Sequence, residues 1–100
     1  MKLRWTERAR DDLLDIAEYI GRNSRDAAQA WVDRIKKRAR MAAEHPLAGR
    51  VVPEFGREDI REVFLRSYRL AYLIRDDAIE VLTVFEGHRL LETDAGTELP

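Results

Sequence analysis

Few side chains in this sequence offer chemistry, and they are two histidines, a set of arginines and no cysteine. His88 stands between Gly87 and Arg89 at the end of the last extended run. An imidazole titrates near neutral pH and can serve there as a general base, but no Ser, Lys or Tyr neighbours it to complete a constellation. His45 precedes Pro46 at the end of a helical pattern, where a cationic ring suits the C-terminal dipole, so it reads as a cap. Two distant histidines without a thiolate do not make a metal site. The five glycines stand singly, so no glycine loop cradles a phosphate, and no metal or other cofactor is expected. Arg61, Arg66, Arg69 and Arg89 remain as cations on or beside extended segments. Period-two alternation turns Arg69 away from the helices, near Val84 and diagonal to Glu86. Arg69 is then either half of a cross-strand pair with Glu86 or a contact for an anionic partner on an open sheet face.

The elements that must position these groups follow from periodicity. Met1 to Trp5 alternates as a short half-buried strand. Thr6 is placed as an N-cap, and Ala9, Leu13, Ile16, Ala17 and Ile20 then recur on one helical face up to Gly21. Ser24 caps a second helix, with Ala28, Trp31, Val32, Ile35, Ala39 and Ala42 on one stripe, and His45-Pro46 closes it. So short a link makes an antiparallel helical hairpin. Its five basic residues Arg34, Lys36, Lys37, Arg38 and Arg40 spread over the whole non-core arc, as a solvated face or as a binding surface. Strands are expected over 60–65, 68–75 and 78–86, with Asp76-Asp77 as a two-residue turn. The uninterrupted register pairs Ile74 with Ile79, Tyr72 with Val81, Leu70 with Thr83 and Tyr68 with Phe85. It leaves Leu73, Leu82 and Val84 as an apolar strip on the face without helices. The expected fold is therefore α+β: an N-terminal strand, an α-helical hairpin, then a three-stranded antiparallel meander, with the helices packed on one face of the sheet.

Composition narrows the class. One hundred residues with 45% apolar and 37% charged side chains make one folded domain, not a disordered tail. That domain is expected over residues 1–91, with a polar, frayed tail over 92–100. Apolar runs are too short for a membrane span or a signal peptide, so the expectation is a cytoplasmic protein with no membrane partner. The net charge of −1 hides a gradient. Residues 1–75 hold 17 Lys and Arg against 12 Asp and Glu, whereas residues 76–100 hold Arg89 against seven acidic residues. The basic surplus is too dilute to predict autonomous nucleic-acid binding. An uncovered apolar strip beside a free strand edge instead calls for a protein partner.

Two segments together resemble the RelE/ParE superfamily of bacterial type II toxin–antitoxin toxins. The first is Trp5 to Leu13 with Ile16-Ala17-Glu18-Tyr19-Ile20. The second runs from Pro46-Leu47-Ala48-Gly49-Arg50 through Val63-Phe64 and Tyr68-Arg69-Leu70-Ala71-Tyr72 to the Val81–Arg89 strand end. The resemblance covers residues 1–91 and implies a toxin neutralised by direct binding of a cognate antitoxin, of ribbon-helix-helix type, in a hetero-oligomer. It implies either of two activities. ParE-like members poison DNA gyrase and need no catalytic residue. RelE-like members are ribosome-dependent mRNA endonucleases, for which Arg69, His88 and Arg89 would have to serve. No lysine follows Lys37 and no tyrosine follows Tyr72, so the lysines and C-terminal tyrosine that those nucleases use are missing. The opening helix and Pro-Leu-Ala-Gly-Arg segment look more like ParE, so gyrase is the expected target, with Arg61, Arg66, Arg69, His88 and Arg89 as its contacts. The antitoxin is expected on Leu13, Leu14 and Ala17 of the first helix and on Leu73, Leu82 and Val84 of the outer strip.

Overall fold

The computed structural model describes residues 1–87. His88, Arg89 and the tail expected over 92–100 lie outside the described residues. A strand β1 (Lys2–Trp5) leads into helices α1 (Glu7–Gly21) and α2 (Arg25–Glu44), a 3₁₀ turn over Pro46–Ala48, and strands β2 (Arg50–Val51), β3 (Ile60–Leu65), β4 (Tyr68–Ile74) and β5 (Ala78–Glu86). The sheet order is β1-β5-β4-β3-β2. The expected meander is β3 to β5, and β1 lies parallel to β5 at one edge. The two-residue β2, against Glu62 and Arg61 of β3, was not expected from the sequence.

Both caps are where the side chains predict them. Thr6 Oγ1 accepts from the Ala9 amide and Ser24 Oγ from the Ala27 amide, each at 3.1 Å. Each satisfies one orphan donor of a first helical turn. The helices cover one face of the sheet. Ala9, Leu13, Ile16, Ile35 and Ala39 meet Val63, Leu70, Tyr72, Ile79, Val81 and Val84 in one core.

The register departs from the simple hairpin halfway along. From the turn, Ile74 pairs with Ile79 and Tyr72 with Val81 as expected, but Ala71 then pairs with Thr83, Leu70 with Val84 and Arg69 with Phe85. Leu82 is the extra residue, a β-bulge that exchanges the faces of everything beyond it. Val84 therefore enters the helix-side core, and Phe85 replaces it on the outer face. The bulge forms where β1 ends. Thr6 Oγ1 lies 2.8 Å from the Val81 carbonyl and 3.1 Å from that of Leu82. The Asp12 carboxylate of α1 accepts from Thr83 Oγ1 at 2.6 Å and from the Val84 amide at 3.0 Å. Two helix-borne oxygens thus take over the edge that β1 relinquishes, and no pattern within β5 records it.

The outer strip is not open either. Leu73 and Leu82 are buried with Val52, Ile60 and Ala71 in a second small core, against which Phe55 and Phe85 pack. The segment 52–56 folds over the sheet as its cover. It is closed by hydrogen bonds from the Phe55 and Gly56 amides to the Val52 carbonyl at 3.1 and 3.0 Å.

Candidate functional site: an outer-face charge cluster and an open helical seam

Arg69 is the pivot of the outer face, and its environment differs from both sequence expectations. It is 4% exposed. Its Nη1 and Nη2 each lie 2.9 Å from an oxygen of Glu54, and its Nε donates to Glu62 Oε1 at 2.6 Å. Arg50 Nε holds the other oxygen of Glu62 at 2.5 Å. The guanidinium also lies 5.0 Å from the centroid of the Phe85 ring. The planar five-donor fork suits this bidentate arrangement, where a lysine would not. The hydrogen bonds to Glu54 hold the Arg69 pKa above its ordinary value against the opposing effect of burial, and Glu62 adds to them. Two arginines and two carboxylates here form a neutral, largely buried cluster. Arg69 therefore does not stand on an open face; Glu54 of the 52–56 segment and Glu62 of β3 hold it. Sequence reasoning missed Glu54, Glu62 and Arg50. The available signal was parity: Glu62 shares its face with Ile60, so a buried carboxylate there required a cation.

The other expected contacts are dispersed. Arg61 bonds to backbone carbonyls, at 3.0 Å to Glu58, 3.3 Å to Leu47 and 3.0 Å to Gly49, and so fastens the 3₁₀ turn to β3. Arg66 occupies the β3–β4 turn with φ of 52°, a left-handed conformation. Tyr72, fully buried, donates its hydroxyl to the Pro46 carbonyl at 2.6 Å. The sequence reading had assigned it only to the core.

Of the residues expected to meet an antitoxin, Leu13, Leu14 and Ala17 come together. With Trp5, Val32 and Lys36 they line a groove of about 550 Å³ along the seam of α1 and α2. Leu14 is 68% exposed beside it. Leu73, Leu82 and Val84 offer no such surface, because the 52–56 cover and the bulge bury all three. No group of three or more His, Asp or Glu is placed to hold a metal ion, and no helix is long and apolar enough to cross a membrane, among the described residues.

Comparison with known proteins gives the family and the fold. The family model described as the ParE toxin of the type II toxin–antitoxin system parDE matches residues 3–91. The chain is 35% identical over 86 residues to toxin RelE2 of Caulobacter vibrioides, covering 86% of this chain and 94% of that one. It is 37% identical over 91 residues to the putative toxin Y4kP of Sinorhizobium fredii, covering 88% and 90%. The fold superposes on a structure of the chromosomal ParDE system of P. aeruginosa with a TM-score of 0.72 at 20% identity, over 86% of this chain and 95% of that one. The strand, helical hairpin and sheet described above are thus the fold of that structure, and the family model and the relatives show that the chain belongs to the ParE toxin family of type II toxin–antitoxin systems.

Proposed function

We propose that the free toxin poisons DNA gyrase and does not cleave mRNA, and that its antitoxin seats an apolar helix in the α1–α2 groove over Leu13, Leu14 and Ala17. The observation that carries the target reading is the state of Arg69. Cleaving RNA through the ribose 2′-hydroxyl needs a base, an acid for the leaving oxygen and cations for the crowded phosphorane. Arg69 is one of the two arginines that the resemblance offers to that phosphorane, and it is already bound to Glu54 and Glu62 beneath the surface. A guanidinium also stays protonated and moves no proton. Binding to gyrase asks only for a shaped, charged surface. The second reading, ribosome-dependent cleavage using Arg69, His88 and Arg89, draws on the printed name of the Caulobacter relative. Purified toxin incubated with gyrase and relaxed plasmid is expected to block supercoiling or to trap cleaved DNA, while programmed ribosomes leave their message intact. Cleavage in the ribosomal A site that His88→Ala abolishes would overturn the reading.

A further inference from the structure

The flank of α2 that faces the β3–β4 turn gathers arginines that no carboxylate among the described residues claims. The Arg34 guanidinium lies 5.5 Å from the Trp31 ring centroid and that of Arg66 lies 5.9 Å from it. Trp31 in turn meets Tyr68 edge-on at 5.8 Å. Arg38, one turn along from Arg34, reaches the Phe64 carbonyl at 3.3 Å. Arg50, Arg57, Arg69 and Arg75 are each ion-paired. Arg34, Arg38 and Arg66 make no ion pair with any described residue. Arg66 holds its place at φ of 52°, where a residue with a Cβ is disfavoured and glycine is at ease. A strained position is where a functional constraint is to be sought.

We propose that Arg34 and Arg66, which share the Trp31 ring, and Arg38, one turn along α2 from Arg34, form a docking surface for the phosphate backbone of duplex DNA. Trp31, Arg34 and Arg38 fall within about 60° of arc on α2. They lie about 100° or more round that helix from Val32 and Lys36, which line the α1–α2 groove. A partner helix in that groove leaves this flank uncovered. The Trp31 ring already carries two guanidinium groups, so it is not a free platform for an unpaired base, as single-strand binding requires. What remains outward is a set of guanidinium N–H edges, which suit phosphate oxygens. The basic residues of α2 form no stripe of their own. The surface exists because the turn brings Arg66 to the ring that Arg34 also covers.

Anisotropy of a short labelled DNA duplex titrated with full-length toxin tests the proposal, with no gyrase present, so it fails or stands separately from the gyrase reading. Three phosphate contacts predict an affinity loss of about 40-fold between about 50 and 200 mM salt. Arg66→Gly and Arg34→Gln are each expected to lower the log–log salt slope by about one, leaving a loss of about 12-fold. Arg25→Gln, which removes the same charge at the start of α2, is expected to leave the slope unchanged. Because glycine suits the turn, Arg66→Gly is expected to melt no lower than the parent. If the arginines only fasten the turn to Trp31, Arg66→Gly melts lower and binds DNA as before, and the proposal falls. It falls equally if Arg25→Gln matches Arg66→Gly, if an unpaired RNA strand binds more tightly than the duplex, or if Arg66→Gly weakens an acidic antitoxin peptide and not the duplex.

Discussion

The two faces of the sheet are closed by different physics. On the helix side, apolar stripes of period 3.6 from α1 and α2 meet period-two strands, and Ile35, Ala39, Tyr72 and Val81 are excluded from water by many small contacts. On the outer side the described residues supply no helix or second sheet. A short loop covers Val52, Ile60, Ala71, Leu73 and Leu82, and a charge cluster fastens it through Glu54 to Arg69. The first kind of closure is spread over many contacts, so truncating one side chain costs its own burial and packing and leaves no charge unpaired. The second depends on complete charge pairing, because each buried ion is tolerable only while its counter-ion is present.

The largest expected effect is therefore on the outer side. Arg69→Met leaves Glu62, whose side chain is wholly buried, with Arg50 alone, while Glu54 at the margin can turn to water. The loss is expected at about 3–5 kcal/mol in urea unfolding. The double variant Arg69→Met/Glu62→Met is expected to recover most of it, since an apolar pair of similar volume replaces the ions. Ile35→Ala on the helix side costs about 2–5 kcal/mol and has no such partner to restore it. A double variant no more stable than Arg69→Met would show that the cluster does not act as a unit and would remove the contrast between the faces.

The same contrast explains what the sequence made legible. The helix side could be read because Leu13, Ile16, Ile35 and Ala39 declare their face by spacing, and because Thr6, Ser24 and Pro46 mark helix ends by chemistry. The α1–α2 groove was not legible from spacing: the expectation that Leu13, Leu14 and Ala17 meet an antitoxin comes from the family resemblance, and the structure shows that they line one groove. The outer side could not be read from spacing either. Its cover lies at a separation of 15 residues between Glu54 and Arg69, with no period to announce it. The bulge at Leu82 depends on Asp12, which lies 72 residues from Val84. A one-residue slip moves every later side chain to the other face, so the bulge that Thr6 and Asp12 hold moves Val84 and Phe85 together.

A smaller effect probes Tyr72, a side chain that ties the helix-side core to the turn before β2. The Tyr72 ring packs under the helices while its hydroxyl reaches the Pro46 carbonyl. Tyr72→Phe removes that donor and is expected to cost about 1–3 kcal/mol. Gly49 faces the same hydroxyl, and a Cβ there would collide with it and come within 2.8 Å of the Glu62 carbonyl oxygen. Gly49→Ala is thus expected to destabilise, and the double variant with Tyr72→Phe to lose less than the sum. Strict additivity in chemical unfolding would break the link.

Alkaline pH separates the faces by titration. Burial raises the Tyr72 pKa above its ordinary value of 10.0, opposed by the Gly49 backbone and by Arg61 and Arg38, and burial likewise raises that of Tyr68. A raised folded-state value means that the folded chain holds the proton more tightly. The associated stability is fully present below about pH 10 and is lost as pH rises through the folded value. The deficit of Tyr72→Phe against the parent is therefore expected to shrink above about pH 10. That of Arg69→Met is expected to stay constant, since guanidinium keeps its proton there. Urea midpoints across that range in which both deficits shrink together would contradict the separation.

The smallest expected effect on folding is at Leu14, and it tests whether the helix side is open where the outer side is closed. Leu14 is 68% exposed, so Leu14→Lys removes little buried area and is expected to change stability by no more than about 0.5 kcal/mol. Full burial of a leucine is worth about 1.5–3 kcal/mol, and an antitoxin helix seated in the groove would bury it. The same substitution is then expected to raise the antitoxin dissociation constant by about 10- to 100-fold. Leu73 offers the converse case. It is 3% exposed beneath the 52–56 cover, so Leu73→Ala is expected to cost about 2–5 kcal/mol of folding stability. It should not alter the dissociation constant measured on the folded fraction. Isothermal titration of the two variants beside their melting curves reads both quantities. Unchanged antitoxin affinity for Leu14→Lys, together with weakened binding for a folded Leu73→Ala, would move the antitoxin from the α1–α2 groove to the outer face. The cover would then have to lift on binding, and the Glu54–Arg69 pair would be the contact that breaks.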